Sequence, residues 1–239
     1  MSSVDELRIK LFADGADIAG ILDMYADARI RGFTTNPTLM HKAGIQNYEG
    51  FAREVLSKVT DRPVSFEVFA DDFPEMERQA REIATWGPNV NVKIPVTNTM
   101  GESAAPLIAR LSSDGIILNI TAIMTKDQVG IVAAALDANT PAIVSVFAGR
   151  IADTGVDPVP YMASCLKLLA GKPKAELLWA SPRELLNVFQ ADAIGCHIIT
   201  ATNDILKKLS LVGKDLDAYS RETVQMFRTD AVAAGFDIR

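Results

Sequence analysis

The stretch Val90-Asn91-Val92-Lys93-Ile94-Pro95-Val96 predicts a β-strand that is buried on both faces yet carries one charge. Asn91 and Lys93 share one side of this strand, whereas the valines and Ile94 take the other, because side chains alternate along a strand. In parallel sheets an apolar strand face packs on helices, so Lys93 should lie on the opposite, inner face. The stretch therefore predicts an α/β fold with an ammonium group inside its sheet.

Short apolar runs of the same type recur along the whole chain of 239 residues. Longer segments with helical periodicity separate them; in one, Phe73, Met76, Ala80 and Ile83 lie three or four positions apart. The predicted strands cover residues 8–13, 32–35, 64–70, 90–96, 115–120, 142–147, 175–180 and 196–200. Strands that alternate with helices at about 25–30 residues per unit indicate a parallel sheet.

The number of units decides the architecture. Eight units in one domain of about 250 residues fit a closed barrel, and no Gly/Ser-rich linker divides the chain. We therefore predict a single (β/α)8 TIM barrel over residues 1–239. Residues 216–234 predict an additional C-terminal helix that packs across the barrel or onto a neighbouring subunit. A doubly wound open sheet is the alternative, but no GxGxxG motif follows the first strand.

Three segments carry helix-start signals. Asp72 and Glu75 have the spacing of a capping box, and Thr125 and Gln128 repeat it. The segment 181–184, Ser-Pro-Arg-Glu, predicts a third start, with proline at the first helical position.

Composition excludes several classes of function. The net charge is −6 and the isoelectric point is about 5.0, so the clustered basic face that nucleic-acid binding requires is not expected. Cys165, Cys196, His41 and His197 are scattered, which predicts no metal site. No apolar stretch reaches the roughly 18 residues of a membrane helix, and no signal peptide is visible. These observations predict a soluble cytoplasmic protein that binds neither nucleic acid nor membrane.

Polar side chains gather at one end of the predicted barrel. Catalytic groups of such barrels lie at the C-terminal ends of the strands. The first seven predicted strands all place polar groups there: Asp14, Thr34, Thr35, Asn36, Glu67, Lys93, Asn119, Thr121, Ser145, Arg150, Ser181 and Arg183. Such a concentration of polar groups is not expected in a barrel with a purely structural role. The pattern therefore predicts an active site at this end.

Lys93 is the most informative member of this set. Burial disfavours the charged form of a lone ammonium group, which would leave a nucleophilic amine near neutral pH. The alternative is a structural ion pair with Glu67 on the neighbouring strand. Asp14 has an alternative role as the cap of a helix that begins near Asp17, and Asn36 has one as a turn residue.

A phosphate site is predicted next to these groups. Ser181 at a helix N-terminus would favour an anion, and Arg150 and Arg183 follow neighbouring strands and could grip a phosphate group. The alternative for Arg150 is a surface position in the loop 149–160.

Five motifs together resemble the transaldolases, and in particular the short subgroup that also contains fructose-6-phosphate aldolases. They are Phe12-Ala13-Asp14, Thr34-Thr35-Asn36-Pro37, Val92-Lys93-Ile94-Pro95-Val96-Thr97, Asn119-Ile120-Thr121-Ala122 and Gly149-Arg150-Ile151. The similarity runs in order from about residue 8 to residue 200. It implies a Schiff-base aldol transfer of a dihydroxyacetone unit from a ketose phosphate, fructose 6-phosphate or sedoheptulose 7-phosphate, to an aldose phosphate. It also implies that neither a metal nor an organic cofactor takes part.

The resemblance also implies a role for each catalytic residue. Lys93 matches the Schiff-base lysine, and Asp14 matches the acid/base that takes the proton of the C4 hydroxyl. Glu67 and Thr121 match the pair that positions a catalytic water.

The remaining matches concern substrate binding and assembly. Asn36 and Asn119 match residues that hold ketol hydroxyls, and Ser145 matches a residue that contacts the donor fragment. The phosphate-binding group of the family corresponds to Arg150, Ser181 and Arg183. Short relatives form rings of five or ten subunits through a C-terminal helix, so the resemblance also implies a homo-oligomer.

Two positions separate transfer from release of free dihydroxyacetone. In the aldolases of the subgroup, a Gln stands at the position that matches Glu67 and a Tyr at the position that matches Phe147. This chain resembles the transaldolases at both positions. Two departures stand out: Pro182 where a Phe is usual, and Gly15-Ala16 where a hydroxyl residue usually follows the aspartate. The alternatives are a fructose-6-phosphate aldolase, another lysine-dependent aldolase and a non-catalytic sugar-phosphate sensor.

Overall fold

The computed structural model describes residues 3–238, whose eight strands form a closed parallel barrel in sequential order. The strands are β1 (Lys10–Asp14), β2 (Ile30–Thr34), β3 (Val64–Glu67), β4 (Val90–Pro95), β5 (Leu118–Ile123), β6 (Ala142–Val146), β7 (Ala175–Trp179) and β8 (Ile198–Thr202). Closure occurs between β1 and β8, where Asp14 lies opposite Thr202. The predicted (β/α)8 TIM barrel is confirmed.

Helices follow every strand. They are α1 (Ile18–Tyr25), α2 (Pro37–Lys42), α3 (Tyr48–Lys58), α4 (Phe73–Ala84), α5 (Ala105–Ser113), α6 (Lys126–Ala135), α7 (Ala148–Asp153), α8 (Pro158–Leu169), α9 (Leu186–Ala193), α10 (Asn203–Lys207) and α11 (Leu216–Ala233). Short 3-10 turns cover Val4–Glu6 and Lys208–Leu211. Over residues 3–238, no helix is both long enough and apolar enough to span a bilayer.

The alternation of β4 is as the sequence predicts. Val92 and Ile94 are fully buried in the core between strands and helices. Lys93 takes the other side of the strand and lies among the residues that line a cavity inside the barrel.

The barrel interior is closed in its middle by a separate apolar cluster, Phe12, Ile143, Leu178, Ala180 and Ile198, which we call the inner plug. A Cβ atom on Gly32 would lie only 2.5 Å from the ring of Phe12. Glycine at this position therefore makes room for the largest side chain of the plug.

Strand β5 contains a bulge next to the polar end of the barrel. Ile120 pairs with Val144, and the next paired residue, Ile123, pairs with Val146. One extra residue is thus inserted, and Ala122 takes a positive φ of 61°. Because the bulge reverses the alternation, Thr121 and Ala122 both face the cavity while Ile123 is buried outside it.

All eight strands differ from their predicted bounds by one to three residues, and the largest differences are in β3 and β5. β3 ends at Glu67 rather than at residue 70, because the side-chain oxygen of Gln79 accepts the N–H groups of Phe69 and Ala70 at 2.8 and 3.0 Å. β5 begins at Leu118 rather than at residue 115, because Gly115 has a φ of +82° and ends helix α5.

The helix starts were predicted with mixed success. The Thr125–Gln128 capping box is confirmed. Asp72 does accept the N–H of Glu75, but the Glu75 carboxylate binds Arg78 rather than the cap backbone. The start predicted at 181–184 is wrong, because α9 begins only at Leu186.

Helix α11 is the predicted C-terminal helix, and it ends at Ala233, one residue before the prediction. None of its residues is buried, and Val224 and Phe227 are each 63% exposed. The prediction that this helix packs across the barrel is therefore wrong. Packing against a neighbouring subunit stays a prediction.

Candidate active site

The polar end of the barrel encloses a cavity of about 370 Å³. Its lining includes most of the predicted site residues: Asp14, Asn36, Glu67, Lys93, Thr121, Ser145, Phe147, Arg150 and Ser181. Asn119 and Arg183 lie outside this lining. The lining as a whole brings together residues from all eight strands and from the loops that follow them.

Lys93 is the buried cation of the cavity, with 6% of its surface exposed. Its Nζ donates to the Thr35 carbonyl at 3.0 Å and lies 3.1 Å from Glu67 Oε2, the residue opposite it in the β3–β4 register. The expected lone ammonium is therefore wrong, and the alternative ion pair is present. The pair is compatible with a nucleophilic role, since the carboxylate is within reach of the proton that the amine must lose.

Asp14 is the second buried ionisable group. Its Oδ1 accepts a hydrogen bond from the Thr34 hydroxyl at 2.8 Å, and its Oδ2 accepts one from Asn36 Nδ2 at 3.3 Å. Burial raises the pKa of the Asp14 carboxyl, and the positive charge of Lys93 and the two hydrogen bonds oppose that shift only in part. A raised pKa favours a carboxyl group that must both accept and return a proton during a reaction.

The alternatives for Asp14 and Asn36 can be compared with the observed caps. Asp17, not Asp14, caps α1 by accepting the Gly20 N–H at 2.6 Å. Asn36 does cap α2, because its Oδ1 accepts the Leu39 N–H at 2.9 Å. The same amide turns its Nδ2 to Asp14, so one side chain serves the helix and the cavity together.

Thr200 on β8 is a cavity residue that the sequence analysis missed. Its hydroxyl lies 2.6 Å from the Thr34 hydroxyl, and both residues line the cavity. Because Thr34 donates to Asp14, Thr200 must donate to Thr34, and the oxygen of Thr200 keeps lone pairs for a ligand. Its position at the predicted end of the eighth strand was the available signal.

A chain of buried hydrogen bonds supports Ser145. The Ser145 hydroxyl donates to Asn119 Oδ1 at 2.6 Å, and Asn119 Nδ2 donates to the Ser65 hydroxyl at 3.0 Å. Asn119 is fully buried, so in this structure it orients Ser145 from behind the cavity lining.

The Thr121 hydroxyl is buried and has no hydrogen-bond partner among residues 3–238. Such groups are rare in proteins, because desolvation without a partner is unfavourable. Thr121 lies at the β5 bulge and lines the cavity, so its hydroxyl is available to a water molecule or a substrate.

Arg150 is exposed and lies on helix α7, not in a loop as the alternative prediction had it. Its guanidinium carbon is 5.6 Å from the centre of the Phe147 ring, within range of a cation–π contact. Both side chains line the cavity, and the apolar ring covers the inner plug beneath the guanidinium group.

Arg183 is held outside the cavity by Asp153, whose Oδ1 accepts from Arg183 Nε at 3.0 Å and whose Oδ2 pairs with Arg183 Nη2. Ser181 lines the cavity but caps no helix; its φ is +56°. A Cβ atom on Gly149 would lie 1.6 Å from the Ser181 carbonyl oxygen. The loop after β7 therefore rests directly on the backbone of α7.

Comparisons with known proteins identify the family of this chain. The family model described as "Transaldolase/Fructose-6-phosphate aldolase" matches residues 11–238. The "Probable transaldolase 2" of Listeria monocytogenes is 33% identical over 218 residues, which are 90% of this chain and 95% of the relative. The "Probable transaldolase" of Dehalococcoides mccartyi is 33% identical over 204 residues, 84% of this chain and 90% of the relative.

Solved structures share the fold at low sequence identity. A 2,3-dimethylmalate lyase has a TM-score of 0.59 at 13% identity, covering 98% of this chain and 88% of its own. A dihydrodipicolinate synthase from Rhodopseudomonas palustris has a TM-score of 0.51 at 14% identity, and the match covers 95% of this chain and 80% of the synthase. These two similarities concern the barrel alone.

Proposed function

The chain belongs to the transaldolase/fructose-6-phosphate aldolase family, and on this premise we propose that it is a transaldolase. The observation that carries the proposal is the buried Lys93 amine, which shares one cavity with a carboxyl group of raised pKa, Asp14. The donor is a ketose phosphate such as fructose 6-phosphate or sedoheptulose 7-phosphate, and the acceptor is an aldose phosphate.

The first half-reaction builds a Schiff base. Lys93 gives up a proton to Glu67, the resulting amine adds to the C2 carbonyl of the ketose phosphate, and loss of water from the adduct gives an iminium ion. Glu67, at 3.1 Å from Nζ, exchanges protons with the amine and with the leaving water. The unpartnered hydroxyl of Thr121 holds that water in place.

The iminium ion then withdraws the electron pair of the C3–C4 bond. Asp14 takes the proton of the C4 hydroxyl as this bond breaks, and an aldose phosphate leaves. Asn36 and Ser145 hold hydroxyl groups of the ketol, and Asn119 does so directly or through Ser145. A three-carbon enamine remains on Lys93, and reversal of these steps with a second aldose phosphate completes the transfer.

Transfer outcompetes release because hydrolysis of the enamine lacks a proton donor near its reactive carbon. Phe147 lines the cavity and offers no hydroxyl group. Phe147→Tyr should therefore raise the release of free dihydroxyacetone relative to transfer by about tenfold, equivalent to roughly 1.4 kcal/mol in relative barrier. The measurement compares release of dihydroxyacetone from fructose 6-phosphate with transfer to erythrose 4-phosphate.

The same assay distinguishes the alternative function. If the wild-type enzyme releases dihydroxyacetone as fast as it transfers it, the protein is a fructose-6-phosphate aldolase. An unchanged ratio in Phe147→Tyr would mean that the ring only packs against the inner plug.

The two arginines should contribute unequally to phosphate binding, together with Ser181. Arg150 lines the cavity without a carboxylate partner among residues 3–238, whereas Arg183 is paired with Asp153. Arg150→Ala should raise KM for phosphorylated donors by about tenfold or more, since a hydrogen bond to a charged group contributes about 1.5–3 kcal/mol. Arg183→Ala should have a smaller effect, because Arg183 must first leave Asp153.

Steady-state kinetics with fructose 6-phosphate and with unphosphorylated fructose provide the measurement. KM for fructose should change little in either variant. Equal losses with both donors would refute a phosphate-specific role for the arginine concerned.

We also propose a cytoplasmic homo-oligomer, a ring of five or ten subunits joined through α11. The exposed apolar residues of this helix support the proposal, since contiguous exposed apolar surface is typical of protein interfaces. They are Leu216, Tyr219, Val224, Met226, Phe227 and Val232.

A further inference from the structure

A second cavity opens at the opposite end of the barrel, where the strands begin. Its volume is about 550 Å³, within the range of about 300–1,000 Å³ that is typical of small-molecule sites. Phe12 and Ile143 of the inner plug form part of its lining, while Leu178 of the same plug lines the active-site cavity. The plug therefore separates two cavities that open to opposite ends of the barrel.

The lining of this second cavity carries an excess of positive charge. Four cations and two carboxylates contribute to it: Lys10, Arg31, Arg62, Lys174, Asp61 and Glu176. Lys10 pairs with Glu176 at 2.7 Å, and Arg62 lies 3.9 Å from Asp61. Arg31 and Lys174 have no carboxylate partner among residues 3–238, so two positive charges remain uncompensated in a chain whose net charge is −6. Lys174 Nζ donates one hydrogen bond to the Asn139 carbonyl at 2.6 Å and keeps two N–H groups for a ligand.

Asn91 adds a buried polar group to the same cavity. It takes the same side of β4 as Lys93, only 6% of its surface is exposed, and it lines the second cavity. Within residues 3–238 its side-chain amide makes no hydrogen bond, although it offers two donors and one acceptor. The amide is open to the cavity rather than sealed in the core, so it is available to a ligand or to water.

We propose that this cavity binds a small phosphate monoester, with the phosphate at Arg31 and Lys174 and an uncharged hydroxyl group at Asn91. A phosphate monoester carries a charge close to −2 at neutral pH, which matches the two uncompensated cations. The guanidinium of Arg31 can bind phosphate oxygens in a bidentate manner. Inorganic phosphate matches the charge but leaves the Asn91 amide to water, whereas the ester can offer it a hydroxyl group, so the ester should bind more tightly.

Titration calorimetry with glycerol 1-phosphate and with inorganic phosphate tests the proposal. Both probes are titrated into the wild-type protein and into Arg150→Ala, in which binding at the active site is weakened. In either background, Arg31→Ala should raise Kd for the second-cavity event about tenfold. Arg29→Ala is the matched control: it removes the same charge two residues away, from a side chain that is paired with Asp27 and is not part of this lining.

Asn91→Leu tests the uncharged contact separately. It should abolish the preference for glycerol 1-phosphate over inorganic phosphate while leaving phosphate binding itself in place. If Asn91→Leu does not fold, the comparison of Arg31→Ala with Arg29→Ala decides alone. Equal effects of these two arginine variants, or loss of all binding in Arg150→Ala, would overturn the proposal. The transaldolase activity of Arg31→Ala reports on the active site independently.

Discussion

Lys93→Met should lose the substrate-dependent covalent adduct and almost all activity. Without the amine no iminium ion forms, and the C3–C4 bond has no electron sink. We expect a loss of about 10⁴-fold or more in kcat, since removal of a covalent nucleophile costs about 10⁶-fold in a serine protease. Borohydride reduction in the presence of fructose 6-phosphate, followed by intact-mass measurement, reports the adduct directly.

Two controls separate chemistry from folding. Lys126→Met removes a lysine outside the active-site cavity lining and should keep the wild-type adduct. Lys93→Met breaks the ion pair and leaves Glu67 as a half-buried carboxylate without its cation. Loss of one partner of a buried ion pair destabilises a protein. The double variant Lys93→Met/Glu67→Gln removes that charge, so its folding can be compared with its activity. An adduct of wild-type size in Lys93→Met, or one mapped to Lys10 or Lys126, would refute the assignment.

Asp14→Asn should stop the reaction one step later. The amide keeps the shape of the side chain but cannot accept the proton of the C4 hydroxyl, and general base catalysis contributes about 10²–10⁴-fold. The Schiff base should still form, so borohydride should trap the whole ketose phosphate on Lys93 rather than the three-carbon fragment. Intact-mass measurement distinguishes these two adducts.

The pH dependence gives a second readout of Asp14. A base must be deprotonated to work, and burial raises the pKa of this carboxyl. The acidic limb of the kcat/KM profile should therefore lie at higher pH than for an ordinary aspartate, and it should vanish in Asp14→Asn. Asp17→Asn is the control, because Asp17 only caps α1. Formation of the three-carbon adduct at the wild-type rate in Asp14→Asn would exclude Asp14 as the base.

The parts of the fold that depend on local alternation were predictable from the sequence. Val92, Lys93 and Ile94 take the predicted sides of β4, because side-chain direction in a strand follows from position alone. The order of the strands around the barrel follows from their number and their helical connections. For the same reason, most predicted polar residues do lie around one cavity.

The parts that depend on tertiary contacts were not predictable. Nothing in the sequence around Ala122 indicates a residue with positive φ, because alanine does not favour that conformation. The surrounding barrel imposes it. Arg183 and Asp153 pair across 30 positions of the chain, so the position of that guanidinium depends on two loops together. The apolar stripe of α11 predicts a helix but does not identify its packing partner.

The contact between Gly149 and Ser181 limits how this active site can diversify. Barrels of this fold support many chemistries through variation of the loops after the strands. Here the backbone of α7 touches the carbonyl of Ser181 so closely that even one methyl group would not fit. An insertion in either loop would displace the other, so the two loops must evolve as a unit.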